Sequence, residues 1–135
     1  MRTAIRWTVA AVIVVHGLIH SLGAAKGLGW AQVSALTDPI SAAMGVAWLA
    51  AGVLTVAAGV LLAGRVHSWW TVGGVALVAS QAVIITSWSD AKAGTIANVV
   101  LLAAIIYGYA PQGPTSYRAE FHRLVNNALA EPAQD

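Results

Sequence analysis

The chain has 135 residues, of which 59% are hydrophobic and only 9% carry a charged side chain, and its mean hydropathy of +0.74 favours the lipid bilayer as solvent over a soluble domain. Its net charge of +2 comes from scattered Lys and Arg residues without a basic stripe, which argues against nucleic acid as a partner. The absence of cysteine excludes disulfides, thiolate metal sites and cysteine nucleophiles.

Four apolar segments are each long enough to cross a bilayer, because a spanning helix needs roughly 20 residues. Their approximate bounds are 5–23, 40–63, 69–88 and 91–110. Asp38 and Pro39 precede the second segment as a predicted N-cap and first helical residue. The sequence therefore predicts an all-α fold: an integral membrane four-helix bundle with antiparallel, up-down topology over residues 1–110.

Residues 111–135 form a predicted cytoplasmic tail. Apolar residues recur in it at helical spacing, which predicts a short amphipathic helix. They are Tyr117, Phe121, Leu124, Val125 and Ala128. This helix either lies on the inner leaflet, with its arginines near anionic head groups, or forms a fraying end.

Positive charges predict the orientation, since short basic flanks favour the cytoplasm. With the N-terminus inside, only Lys26 and Lys92 fall on the outer side. The cytoplasmic residues are then Arg2, Arg6, Arg65, Arg118 and Arg123. We therefore expect a multi-pass protein of the plasma membrane with both termini cytoplasmic. A cleavable signal peptide is disfavoured, because the first apolar segment is longer than an ordinary signal core and contains His16 and His20.

Small residues predict which helix faces pack together, because membrane helices associate through close contact and hydrogen bonds. In the second segment, glycines recur every seven residues and mark an inward face. They are Gly45, Gly52 and Gly59. The same reasoning predicts inward stripes in the third and fourth segments. Their members are Gly74, Gln81 and Trp88 in the third and Thr95, Asn98 and Leu102 in the fourth.

Two histidines lie inside the first apolar segment, one helical turn apart, and an ionisable residue within a span indicates a functional site. Counting from Arg6 at the inner boundary puts His16 about 15 Å deep. Asp38 and several other polar residues approach the same outer end of the bundle, which predicts a polar funnel that binds a small ligand or relays protons. The predicted site comprises His16, His20, Gln81, Asp90, Lys92 and Asn98.

Simpler roles stay open for the same residues. The histidines can hydrogen-bond across helices to Ser80, Gln81 or backbone carbonyls. Asp38 and Asp90 can cap the second and fourth helices.

Cofactor binding is a further alternative, although the main expectation is that none is bound. A quinone could hydrogen-bond to His20, Gln81 and Trp48. Copper or zinc could bind to His16 and His20, with Met44 or Asp90 as a further ligand. No hydrolase motif or phosphate-binding glycine loop occurs, so enzymatic activity is not predicted.

Several segments resemble a group of uncharacterised bacterial four-helix membrane proteins. The most specific begins at Trp88 and reads WSDAKAGTIAN, and the others are HGLIH from His16, KGLG from Lys26 and QAVII from Gln81. In some members a soluble domain of unknown function follows the membrane part, and YRAEF from Tyr117 resembles the start of that junction. The resemblance implies a membrane domain only, without the activity of a following domain.

The helix count and the His16-Gly17-Leu18 segment are also similar to DoxX-type proteins, some of which take part in quinone-coupled redox work. That resemblance implies a redox subunit of a membrane complex. A third alternative is an assembly or structural subunit without a site of its own. The expected partners are the lipid bilayer and either other membrane proteins or further copies of the chain.

Overall fold

The structure, a computed structural model, describes residues 3–110 and 117–130, and within those ranges every regular element is helical, which confirms the all-α class. The helices are α1 Thr3–Gly27, α2 Ala42–Ala63, α3 Trp69–Thr86, α4 Trp88–Ala91, α5 Gly94–Tyr109 and α6 Tyr117–Ala130. The chain divides into two units, Met1–Ile105 and Ile106–Asp135. The predicted tail helix corresponds to α6, while Arg2 and the tail residues 111–116 and 131–135 lie outside the described residues.

Helices α1, α2 and α3 are each long and apolar enough to cross a membrane. The fourth apolar helix, α5, has 16 residues and begins at Gly94, three residues after the approximate start of the predicted segment. At the end of α3 the Thr86 hydroxyl donates to the Val83 carbonyl over 2.7 Å. The chain then forms the short helix α4 and a turn before Gly94.

The loop between α1 and α2 begins and ends with helix caps. Gly29 adopts a φ of +71°, and the Trp30 N–H reaches back to the Ala25 carbonyl over 2.8 Å, which closes the end of α1. Ser41 caps α2 by accepting a hydrogen bond from the Met44 N–H over 3.2 Å. The predicted N-cap at Asp38 is therefore wrong.

Glycines bring α1 and α2 into close contact, which confirms the predicted inward face of α2. A Cβ added to Gly27 would lie 2.6 Å from the Gly45 Cα, and one added to Gly17 would lie 3.0 Å from the Gly52 carbonyl oxygen. At the other end of α2, a Cβ on Gly59 would lie 3.1 Å from a carbonyl oxygen near the start of α1. Later residues of α1 thus pair with earlier residues of α2.

The buried face of α3 is turned by one residue from the predicted stripe. Gly73 is buried, and a Cβ added to it would lie 3.2 Å from an Ile105 side-chain carbon, whereas one added to Gly74 would meet nothing within 4 Å. Trp88 is half-exposed. On α5 the buried residues are Asn98, Leu101 and Ala104, while the predicted Leu102 is exposed. The small residues of α3 that allow close contact are Gly73, Ala76 and Ser80.

Two apolar clusters form the core of the first unit. The lower cluster, so called here, lies near the start of α1 and the end of α2. It comprises Ala10, Ile13, Ala58, Leu62, Trp69, Ala76, Leu101 and Ala104. The upper cluster lies near the end of α1 and the start of α2. It comprises Ala24, Trp48, Ala51, Val83 and Ile84. On α1 the buried histidines fall between these clusters, and on α3 the buried Ser80 does the same. A polar layer therefore separates two apolar layers.

Candidate functional site

Four buried polar side chains meet where α1, α3 and α5 approach one another, and we call them the histidine cluster: His16, His20, Ser80 and Asn98. His20 Nε2 lies 2.8 Å from the Ser80 hydroxyl oxygen, and His16 Nε2 lies 3.1 Å from the same oxygen. Asn98 Oδ1 lies 3.0 Å from the Ser80 oxygen and 3.1 Å from His16 Nε2. One hydroxyl therefore links both histidines to α5.

The bonding partners determine where the protons of this cluster lie. The Asn98 side-chain nitrogen donates to Gln81 Oε1 over 2.9 Å, and the Gln81 nitrogen donates to the Thr95 hydroxyl over 3.2 Å. Asn98 Oδ1 is thus an acceptor, so Ser80 can donate its single proton there and accept one from His20 Nε2. These hydrogen bonds join both histidine Nε2 atoms to Ser80 and Asn98, which suits a polar layer between two apolar clusters.

Two aromatic contacts extend the histidine cluster into the upper apolar cluster. The rings of His16 and His20 meet edge to face, with centroids 4.6 Å apart. The His20 ring also meets the Trp48 ring, with centroids 5.2 Å apart. Trp48 is buried, and its Nε1 has no hydrogen-bond partner among the residues that the structure describes.

Asp90 lies apart from the histidine cluster and binds the loop between α1 and α2. One carboxylate oxygen accepts the backbone N–H groups of Thr37, over 2.5 Å, and of Asp38, over 2.9 Å. The other accepts the Thr37 hydroxyl over 2.8 Å. These hydrogen bonds, led by that from the Asp38 amide, hold the pKa of Asp90 below its usual 3.8, and Lys26 acts in the same direction. Asp90 therefore does not cap α5.

Lys26 and Ser89 fasten the same loop from two sides. The Lys26 ammonium donates to the carbonyl oxygens of Leu36 and Asp38, the latter over 2.7 Å. The Ser89 hydroxyl donates to the Asp38 carboxylate. We call this second polar group the outer clasp: Lys26, Thr37, Asp38, Ser89 and Asp90. It explains why Asp38 does not cap α2, since its carboxylate, the group that would accept from the helix, accepts from Ser89 instead.

An apolar cavity of about 330 Å³ lies beside the outer clasp. Its walls come from the end of α1, the first loop, α2, α3 and the connection between α3 and α5, and Asp90 contributes the charged group. The lining includes Leu22, Leu36, Trp48, Ile84 and Ala93. Gly94 also lines the cavity, and a Cβ added there would lie 3.2 Å from His16 Cε1. The outer cavity, as we call it, thus adjoins both polar groups.

The predicted funnel residues divide between these regions. His16, His20, Gln81 and Asn98 come together in or beside the histidine cluster. Asp90 belongs to the outer clasp, and Lys92 is exposed between α4 and α5. The sequence analysis did not assign Lys26, Thr37 or Ser89 to the site. No local pattern signals their contacts, because Ser89 and Asp38 are 51 positions apart.

The side chains predicted as metal ligands form hydrogen bonds within the protein. Both histidine Nε2 atoms converge on the Ser80 oxygen, and the Met44 sulfur accepts the Thr86 hydroxyl over 3.6 Å. Across the part of the chain that the structure describes, no group of three or more His, Asp or Glu side chains is placed to hold a metal ion. Copper or zinc binding by His16, His20 and Met44 stays a prediction.

Comparison with protein-family models, with curated proteins and with solved structures finds no match for this chain. The resemblance to bacterial four-helix membrane proteins and to DoxX-type proteins therefore rests on the sequence segments alone and stays a prediction. Any functional assignment has to come from the geometry of the site.

Proposed function

We propose that the chain is a four-helix membrane protein whose outer cavity binds a small, largely apolar ligand. In this proposal α1, α2, α3 and α5 cross a bacterial plasma membrane as an antiparallel, up-down bundle with both termini in the cytoplasm. The outward surfaces of the helices support insertion, since Val78 is 71% exposed and Ile96 72% exposed. Such surfaces are favourable in hydrocarbon and costly in water.

Helix contacts and lengths support the bundle topology. The pairing of Gly27 with Gly45, and of Gly17 with Gly52, is the pairing expected for two antiparallel neighbours. Sixteen residues of α5 extend about 24 Å, so this helix crosses the hydrocarbon with the help of its flanking residues. The half-exposed Trp88 and Tyr109 near its two ends suit the membrane interfaces.

The outer cavity is the observation on which the ligand proposal depends. Ligand sites are concave and mainly apolar, with a few polar groups that orient the ligand, and about 300 Å³ is the lower end of their usual volumes. The outer cavity has that size and lining, with the Asp90 carboxylate as its charged group. A ligand acceptor atom that reached Trp48 Nε1 would also satisfy a buried donor that lacks a described partner.

The histidine cluster favours ligand binding over proton relay across the membrane. A relay needs hydrogen-bonding groups that continue to both surfaces, whereas the lower apolar cluster lies on the cytoplasmic side of His16 in the proposed orientation. The cluster instead holds α1, α3 and α5 in the positions that form the cavity walls. His16 lies just behind Gly94, which separates its ring from the cavity.

Binding of a fluorescent apolar probe tests this proposal. We expect 1-aminoanthracene to bind the detergent-purified chain saturably, with one site per chain. Ala93→Leu, which fills the cavity, should abolish the saturable component, whereas Ala82→Leu on an exposed part of α3 should retain it. Linear partitioning of the probe, identical in all three proteins, would contradict the proposal.

Cofactor analysis separates this proposal from the redox alternatives. We expect detergent-purified protein to contain neither quinone nor copper or zinc in stoichiometric amount. Bound quinone or metal that is lost on His20→Ala would favour a redox subunit instead. Normal assembly and probe binding in His20→Ala without any cofactor would fit the ligand proposal.

A further inference from the structure

Helix α6 has an exposed apolar face. Four large apolar side chains are exposed on it, and Leu129 is 81% exposed. They are Phe121, Leu124, Val125 and Leu129. At 100° per residue these positions fall within an arc of about 140°, while Asn126 and Arg123 lie outside that arc. The helix is therefore amphipathic, as the tail sequence predicts.

The position of α6 in the chain limits what can cover this face. Seven residues separate Tyr109, the last residue of α5, from Tyr117, the first of α6. Seven residues span at most about 25 Å. If α5 crosses the bilayer and ends at its surface, the start of α6 stays within about this distance of that surface, whatever the linker conformation.

Charge and area favour lipid over a second copy of the chain. The helix sequence contains two arginines, Arg118 and Arg123, and one acid, Glu120, which suits an anionic leaflet. A stable protein interface buries about 800 Å² on each partner. Four side chains on a fourteen-residue helix provide less than that, whereas an interfacial helix needs only an apolar face of this kind.

We infer that α6 lies along the cytoplasmic surface of the same bilayer, with Phe121, Leu124, Val125 and Leu129 inserted among the lipid chains below the head groups. The inference goes beyond ligand binding, because it assigns the tail to a lipid surface. It depends on membrane insertion of the helices but not on any occupant of the outer cavity.

Site-specific fluorescence on the full chain tests this inference, because the sequence contains no cysteine to interfere. Single-cysteine variants Leu124→Cys and Asn126→Cys carry an NBD label on opposite sides of α6, and Val78→Cys reports insertion of α3. Each protein is reconstituted into vesicles of phosphatidylcholine and phosphatidylglycerol, and quenching by nitroxide-bearing lipid is compared with quenching by aqueous iodide.

The expected result is strong lipid quenching at Leu124 and Val78 and strong iodide quenching at Asn126. Adding Phe121→Glu should move the Leu124 label toward water without changing the Val78 label. Iodide quenching at both tail positions would overturn the inference, as would shielding of Leu124 that vanishes when the protein is diluted in lipid, which indicates a second copy. Loss of lipid quenching at Val78 would overturn membrane insertion itself.

Discussion

At the scale of single residues, Ser80 has the most demanding position in the molecule. Its hydroxyl is fully buried and contacts His16, His20 and Asn98. A buried polar group that loses its partner costs more than the hydrogen bond itself contributes. A larger side chain at this fully buried position would displace one of these three partners.

We predict that Ser80→Ala destabilises the protein by about 1 to 2 kcal/mol, because it leaves His20 Nε2 without its acceptor inside the bundle. Ser21→Ala is the matched control, since the Ser21 hydroxyl is exposed and donates only to the Leu18 carbonyl of its own helix. Equilibrium unfolding in mixed micelles measures both changes. Equal stability of the two variants would show that the histidine cluster contributes nothing to folding.

Asp90 gives a second prediction at this scale. We expect Asp90→Asn to increase hydrogen exchange at the Thr37 and Asp38 amides severalfold, because the two carboxylate oxygens hold both amides and the Thr37 hydroxyl. Asp38→Asn is the control, since its carboxylate accepts only from the Ser89 hydroxyl. Unchanged protection in Asp90→Asn would mean that the loop is held without this carboxylate.

The pH dependence of this contact follows from the direction of the Asp90 pKa. Because folding lowers this pKa from 3.8, the carboxylate stabilises the closed loop above that pH, and the stabilisation is lost as the pH falls through the lower folded value. Loop protection should therefore be constant between about pH 5 and 8, with loss only in stronger acid. A loss of loop protection near neutral pH would show that a group other than Asp90 holds the loop.

At the scale of helices, some glycines lie in close helix contacts and others lie on open surface. We predict that Gly45→Ala destabilises the protein by about 1 to 3 kcal/mol, because the new Cβ would lie 2.9 Å from the Gly27 backbone and force α1 and α2 apart. Gly74→Ala should be neutral or stabilising by up to about 1 kcal/mol, since its Cβ meets nothing within 4 Å and alanine favours helix. Thermal unfolding of both variants in one detergent checks the contrast, and a reversed order would contradict the helix packing.

Sequence patterns predicted the helices better than their faces. Long apolar runs and the recurring glycines of α2 identified three long helices and the inward face of α2, because both signals are local. Gly73 and Gly74 are adjacent, however, and only the packing against Ile105 selects Gly73. Hydropathy likewise does not register the short helix α4 and the turn that separate α3 from α5.

The candidate site was predictable only where depth along a helix brings residues together. His16, His20 and Asn98 occupy similar levels in their helices, so their meeting follows once the helices are paired. The outer clasp depends on the path of a loop, and its partners lie about fifty positions apart in the sequence. No periodicity links Thr37 to Asp90, which is why sequence reasoning placed Asp90 in the funnel with the histidines, with a helix cap as its alternative role.

At the scale of the whole molecule, the account depends on four helices crossing a membrane in alternating directions. In the proposed orientation, the outer cavity and the outer clasp face the exterior, and the connection between α2 and α3 faces the cytoplasm. The basic residues agree with this arrangement, since Arg65 lies between α2 and α3 while Lys26 lies at the opposite end of the bundle.

Labelling of single cysteines in intact cells measures this topology most directly. Ala31→Cys and Ala93→Cys probe the two outer connections, and His67→Cys probes the connection between α2 and α3. The account predicts that a membrane-impermeant maleimide labels Ala31→Cys and Ala93→Cys in intact cells, and labels His67→Cys only after the membrane is opened. Labelling of Ala31→Cys and His67→Cys from the same side would contradict it.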